Sequence, residues 1–235
     1  MTITTTKSAF WAGVRDGFPF IIMVAPFAAL FGVVAIEVGL TVVQTMGFTV
    51  LVIAGASQFA ALQLMTENAA IGFVLLAALA VNLRMAMYSA ALAPHLGKAK
   101  LWQRVLIGYL NFDQSYMMSV ARYEDEPDMV LEQKVAFYLG VALAISPFWC
   151  AFTFVGVKIG AAIPQGIEVS FMIPIAFLTM VTPMMKSLAH IAAAFVSVVV
   201  ALALAWLPSG SGLLVGAVCA MVVGVAVETW MERDL

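Results

Sequence analysis

The chain has 235 residues, 64% of them apolar and only 10% charged, with a formal net charge of −2. A soluble domain is near half apolar and a quarter charged, so this composition excludes a soluble fold and puts most of the chain in lipid. The apolar runs are unbroken rather than alternating, which excludes a β-barrel and predicts an all-α, polytopic helical bundle. No basic cluster points to nucleic acid.

Residues 1–16 read as an interfacial segment with Trp11 as its anchor. The first span is expected at 17–36 and contains Pro19 and Pro26. Its apolar length, without a small-residue cleavage site, makes it a span rather than a removable leader. A second span, 41–65, is interrupted at Gly55 by the polar pair Ser57-Gln58. The third, 69–93, stops at Pro94 and carries Arg84 near its centre. Such an arginine costs about 2.5–3.5 kcal/mol on insertion scales, so it requires a partner, a watery cavity or an anionic ligand. Residues 94–103 form a loop with Lys98, Lys100 and Trp102.

Residues 104–122 are apolar yet dense in polar groups. They are expected to be a fourth span shielded by its neighbours, with an amphipathic surface helix as the alternative. An acidic loop holds Glu124, Asp125, Glu126, Asp128 and Glu132, and the fifth span, 134–157, contains Pro147. The run 170–207 would be about 57 Å long as one helix, too long for a single crossing. Pro183, Lys186 and Ser187 are expected to divide it into two short spans, with His190 as a structural histidine in the second. The last span, 213–230, ends in the charged tail 232–235. The expectation is eight spans, or seven if 104–122 lies on the surface, in one membrane domain over 17–231.

With eight spans, one side collects Lys7, Arg15, Arg122, Lys134, Lys186 and Arg233, and the other Lys98, Lys100, Arg104 and Lys158. This is a weak lean under the positive-inside rule. The loop at 98–104 opposes it, and a re-entrant second span broken at Gly55 would reverse that loop. Met23-Val24-Ala25-Pro26 recurs as Met180-Val181-Thr182-Pro183, and Ala25-Pro26-Phe27 resembles Ser146-Pro147-Phe148. Such an echo fits the inverted repeat of secondary transporters. Pro26, Gly55, Pro147 and Pro183 are the expected helix breaks.

Pro26, Gly55, Arg84 and Asp113 all fall near the middles of their predicted spans. A break at Gly55 lets Ser57 and Gln58 open a half-helix whose free N–H groups suit a carboxylate; a kink in a packed helix is the alternative. Arg84 and Tyr88 share a helical face, as do Tyr109, Asp113 and Tyr116. Arg84 and Asp113 can neutralise each other across two helices. They can equally address the ends of a zwitterion, Arg84 the carboxylate and Asp113 the ammonium, as two states of one cycle. Asp113 is alternatively a carrier of a coupling proton. Ser57, Gln58, Tyr88 and Tyr116 complete the candidate binding set. Cys150 and Cys219 sit apart in apolar runs as small hydrophobes, without metal-ligand spacing. No cofactor is expected. No catalytic motif or nucleophile–base pair is present, so an enzyme is not expected. No ATPase segment is present either, so transport energy would come from a gradient or a separate subunit.

Gly55-Ala56-Ser57-Gln58-Phe59, Asn82-Leu83-Arg84 with Tyr88-Ser89, and Asp113-Gln114 resemble blocks of the AzlC-type large subunit of bacterial branched-chain amino-acid exporters. The resemblance covers nearly the whole chain. It implies a multi-pass inner-membrane protein exporting Val, Leu, Ile or Met beside a small AzlD-type membrane subunit. Many relatives have an Asp-Glu pair where this chain has Asp113-Gln114, which bears on the coupling ion. Export driven by the proton gradient is the expected mechanism. An importer of other amino acids or small carboxylates, or a membrane scaffold whose Arg84–Asp113 pair only holds the bundle, are the competing readings.

Overall fold

The computed structural model describes residues 5–163, 178, 185, 187–207 and 211–233, and every regular element among them is helical. In order these are α1 (Thr6–Gly17), a 3-10 turn (Phe18–Phe20), α2 (Ile21–Glu37), α3 (Val42–Leu51), α4 (Gly55–Thr66), α5 (Ile71–Leu96), α6 (Leu101–Tyr109), α7 (Asp113–Asp125), α8 (Leu131–Ala162), α9 (Leu188–Ala203) and α10 (Ser211–Arg233). Three stretches among the described residues are long and apolar enough to cross a membrane: Thr6–Glu37, Ile71–Leu96 and Leu131–Ala162. The expected count of eight spans is not reached in these residues. Pro183 and its echo 180–182 lie outside them.

The chain divides into two compact units, Met1–Gln58 with Ala80–Val169, and Phe59–Leu79 with Ser170–Leu235. The first is built on the contact of α1 and α2 with α8. Small residues let the two backbones touch: Gly13 lies against Phe137, Gly140 against Phe10, Gly156 against Ala29 and Gly32 against Thr153. Close approach at small residues is how membrane helices associate without a hydrophobic driving force. Partner numbers rise together along both chains, from Phe10 with Gly140 to Val33 with Gly160, so the two 32-residue stretches run parallel.

Helix starts follow local chemistry. Thr5 and Ser8 form a capping box, with Ser8 N–H donating to Thr5 Oγ1 at 3.1 Å. The helix therefore begins well before residue 17, where the first span was expected. Gly39, at φ +95°, makes the turn after α2, and a Thr41–Gln44 capping box opens α3.

Three expectations are corrected. Pro26 sits inside α2 and Pro147 inside α8, and neither breaks its helix. Each proline removes one backbone bond, and the dense α2–α8 packing holds the rest. Residues 104–122 are not one helix: α6 ends at Tyr109 and α7 starts at Asp113. With a rise of 1.5 Å per residue α6 is only about 14 Å long, half of what a crossing needs.

The α6–α7 pair turns back on itself. His95, near the end of α5, packs with its ring centroid 5.2 Å from that of Tyr123, near the end of α7, the planes tilted by 43°. Tyr123 Oη donates to Lys134 O at 2.8 Å, whereas Ser115, near the start of α7, bonds Tyr138. So α7 runs antiparallel to α8 and returns to the end from which α6 set out. At the break between α3 and α4, Gly55 lies against Phe27 and Trp149, while Gln58 Nε2 donates back to Thr49 Oγ1 at 3.4 Å.

In the second unit, Ser187 caps α9 by accepting from His190 N–H at 3.3 Å. Helices α9 and α10 pack antiparallel, Gly212 against Leu204, Gly216 against Ser197 and Gly224 against Ala193.

Candidate functional site

The break between α6 and α7 is stitched on all sides. Tyr138 Oη reaches Ile107 O at 3.0 Å and Leu110 O at 3.1 Å. Ser115 Oγ accepts from Phe112 N–H at 3.0 Å. Asn111 Nδ2 donates to Met85 O and Ser89 Oγ of α5, both at 3.1 Å. Carbonyls and amides freed by the break thus find partners, as buried backbone groups must. Asp113 becomes the first residue of α7, where the positive end of the helix favours its charge.

Asp113 meets two side chains of α5. Arg84 Nη1 donates to Oδ2 at 3.0 Å, and Tyr88 Oη donates to Oδ1 at 2.9 Å. Tyr116, one turn on from Asp113, stacks on Tyr88 with ring centroids 4.2 Å apart. Spacing on two helices therefore brings Arg84, Tyr88, Asp113 and Tyr116 together. The pair is half-open: Arg84 and Asp113 side chains retain 23% and 31% exposure, and Arg84 Nε has no partner. This single contact is weaker than the bidentate fork that a guanidinium offers a carboxylate.

Ser57 and Gln58 lie elsewhere, in the first turn of α4. Both are buried, Ser57 Oγ donates to Ala54 O at 3.0 Å, and Gln58 donates to Thr49. Thr49 Oγ1 in turn donates to Thr153 Oγ1 at 3.4 Å, and Thr153 to Trp149 O at 2.9 Å. Gln58 Oε1 and Trp149 Nε1 are buried without a partner. Among the described residues no hydrogen bond joins this group to Arg84 or Asp113. The two breaks meet through Tyr109 at the end of α6, whose Oη donates to Val50 O of α3.

Sequence reasoning missed Asn111, Tyr138, Thr49, Thr153 and Trp149. Asn111, Asp113 and Ser115 together carry a helix-start signature that could have exposed the second break. Tyr138, Thr153 and Trp149 are scattered through an apolar helix, and no spacing marks them.

No solved structure matches this chain. A protein of Archaeoglobus fulgidus described as an uncharacterized membrane protein is 31% identical over 234 residues, covering 96% of this chain and 97% of that protein. The inner membrane protein YgaZ of Escherichia coli K12 is 23% identical over 184 residues, covering 74% of this chain and 72% of that protein. The family model described as AzlC protein matches residues 19–163, from the turn before α2 to the end of α8 and across both breaks. The chain is a membrane protein of the AzlC family.

Proposed function

We propose that the chain is a secondary transporter that exports neutral apolar amino acids (Val, Leu, Ile and Met) across a bacterial inner membrane. The proton gradient drives it, and a small AzlD-type membrane subunit works beside it. The observation that carries the reading is the half-open Arg84–Asp113 pair, set between a membrane-length helix and the start of a broken one. A pair serving only to hold the bundle gains most from a closed, bidentate contact; here the guanidinium keeps a free Nε. The pair acts as a lock that opens and reforms during transport, and Asp113 is the carboxylate available to a proton when it opens. Family membership and the name of the Escherichia coli relative support the inner-membrane location. The scaffold reading has one observation in its favour: both Asp113 oxygens are already bonded.

Efflux of preloaded labelled valine and methionine tests the proposal, in cells with and without the small subunit, beside Arg84→Ala. The expected result is efflux that Arg84→Ala abolishes while the variant still reaches the membrane. Absent efflux with both subunits present rejects the exporter. Unchanged efflux in Arg84→Ala makes the pair structural and removes it from the transport cycle.

A further inference from the structure

The two helix breaks are finished differently. At 110–112, Tyr138 and Ser115 meet the carbonyls of Ile107, Leu110 and Phe112 and the N–H of Phe112. At the start of α4 the cap position is Ala54, which has no side-chain acceptor, and its carbonyl takes the N–H of Gln58 at 3.1 Å. The site is nonetheless buried: Ala54, Ala56, Ser57 and Gln58 are at most 7% exposed. Two further polar atoms, Trp149 Nε1 and Gln58 Oε1, are buried here unpartnered. The Trp149 ring lies on Gly55 itself; a Cβ there would stand 2.7 Å from Trp149 Cη2 and 2.7 Å from Phe27 Cε1. A buried unpaired polar group costs about 1–3 kcal/mol, so two such atoms beside a helix start with no capping side chain at Ala54 point to a ligand.

The donor and acceptor pattern identifies its chemistry. First-turn amides and the indole N–H are donors, and they ask for an anion. Gln58 Oε1 is an acceptor, and Ser57 Oγ, whose proton is engaged with Ala54 O, has lone pairs to offer. These ask for a donor such as an ammonium. A plain carboxylate would leave Gln58 Oε1 unpaired, and a bare cation would face N–H groups. A zwitterion satisfies both sets. Phe27 and Trp149, with centroids 6.1 Å apart, and the partly buried Ile53 give apolar walls.

We propose that the uncapped start of α4, with Trp149 and Gln58, binds the zwitterionic head of the amino-acid substrate, an assignment that rests on the exporter reading above. The carboxylate takes the first-turn amides and Trp149 Nε1–H. The ammonium takes Gln58 Oε1 and Ser57 Oγ. Arg84 and Asp113 then form a lock linked to this site through the Tyr109–Val50 contact, and they are not the groups that hold the head.

The test is binding of labelled valine to the purified full chain in lipid nanodiscs. The competitors are 3-methylbutanoate and isobutylamine, which are valine without its ammonium and without its carboxylate. Trp149→Phe keeps the ring and removes the N–H; Gln58→Met keeps the volume and removes the acceptor. Each is expected to weaken valine binding about tenfold. Trp149→Phe should weaken competition by the acid and spare the amine, and Gln58→Met should do the reverse, a crossing that a merely structural role would not produce. Elution profile and thermal midpoint establish folding, and if Trp149→Phe does not fold, Gln58→Met decides. Valine affinity within twofold of wild type in the folded variants overturns the site and leaves the exporter standing. An acid that competes as well as valine overturns the zwitterion assignment. A folded wild type that binds neither valine, leucine nor methionine, alone or together with the small subunit, rejects the exporter reading and this proposal with it.

Discussion

A single carboxylate, Asp113, draws together what α5 and α7 contribute to the site. It bonds Arg84 and Tyr88 and sits in the first turn of its own helix, so three favourable terms converge on one charge. Removing one partner strands the other. Arg84→Met or Asp113→Leu alone is expected to cost about 3 kcal/mol, read as a lowered thermal midpoint, whereas the double variant should recover most of that loss. Transport distinguishes the readings at the same time, because a lock that must open and close loses flux in all three variants, while a scaffold pair leaves the double variant unaffected. Tyr138 serves the backbone rather than the substrate. Its hydroxyl covers two carbonyls of the second break, so Tyr138→Phe should destabilise the protein by about 1–2 kcal/mol. Denaturant or thermal unfolding of the purified protein measures this loss.

At the scale of elements, the contact of α1 and α2 with α8 depends on the absence of side chains. A Cβ at Gly156 would run into the backbone carbonyl of Ala29, and backbone cannot swing aside. Gly156→Val is expected to cost about 2–3 kcal/mol or prevent assembly, seen as lost yield of folded protein from membranes. Gly47→Ala, in the middle of α3 with no atom within 4 Å, should be neutral or gain up to about 1 kcal/mol and serves as the control. The same packing explains which breaks could be read in advance. Gly55 followed by Ser57 and Gln58 marks a weak helix, and the chain does part there. Pro26 and Pro147 are stronger local breakers, yet each removes only one bond and tight packing carries the helix past them. The second break has no glycine or proline within 110–112, and its free groups are met by Tyr138, distant in sequence, which local patterns do not register. Arg84 and Asp113 were legible because a charge in a long apolar run demands a partner. Trp149 was not, because an indole in an apolar helix looks like packing until its N–H is seen to be unpartnered.

The α6–α7 hairpin bears on how the first unit would sit in a bilayer. It turns back on itself, and the N-terminal stretch runs parallel to α8. The loop at 98–104 lies at the end of this unit where the His95–Tyr123 and Tyr123–Lys134 contacts hold its neighbours. Lys7, Arg15, Lys98, Lys100, Arg104, Arg122 and Lys134 then share one side of this unit, with Lys158 at the other end of α8. Within this unit the basic residues no longer oppose one another, and the positive-inside rule predicts that their side faces the cytoplasm. Single cysteines test this in a Cys150→Ser/Cys219→Ser background, labelled in intact cells by a thiol reagent that cannot cross the membrane. Positions 7, 98 and 128 should be protected and position 39 labelled. Labelling at 98 with protection at 7 would put the two positions on opposite sides and overturn this orientation.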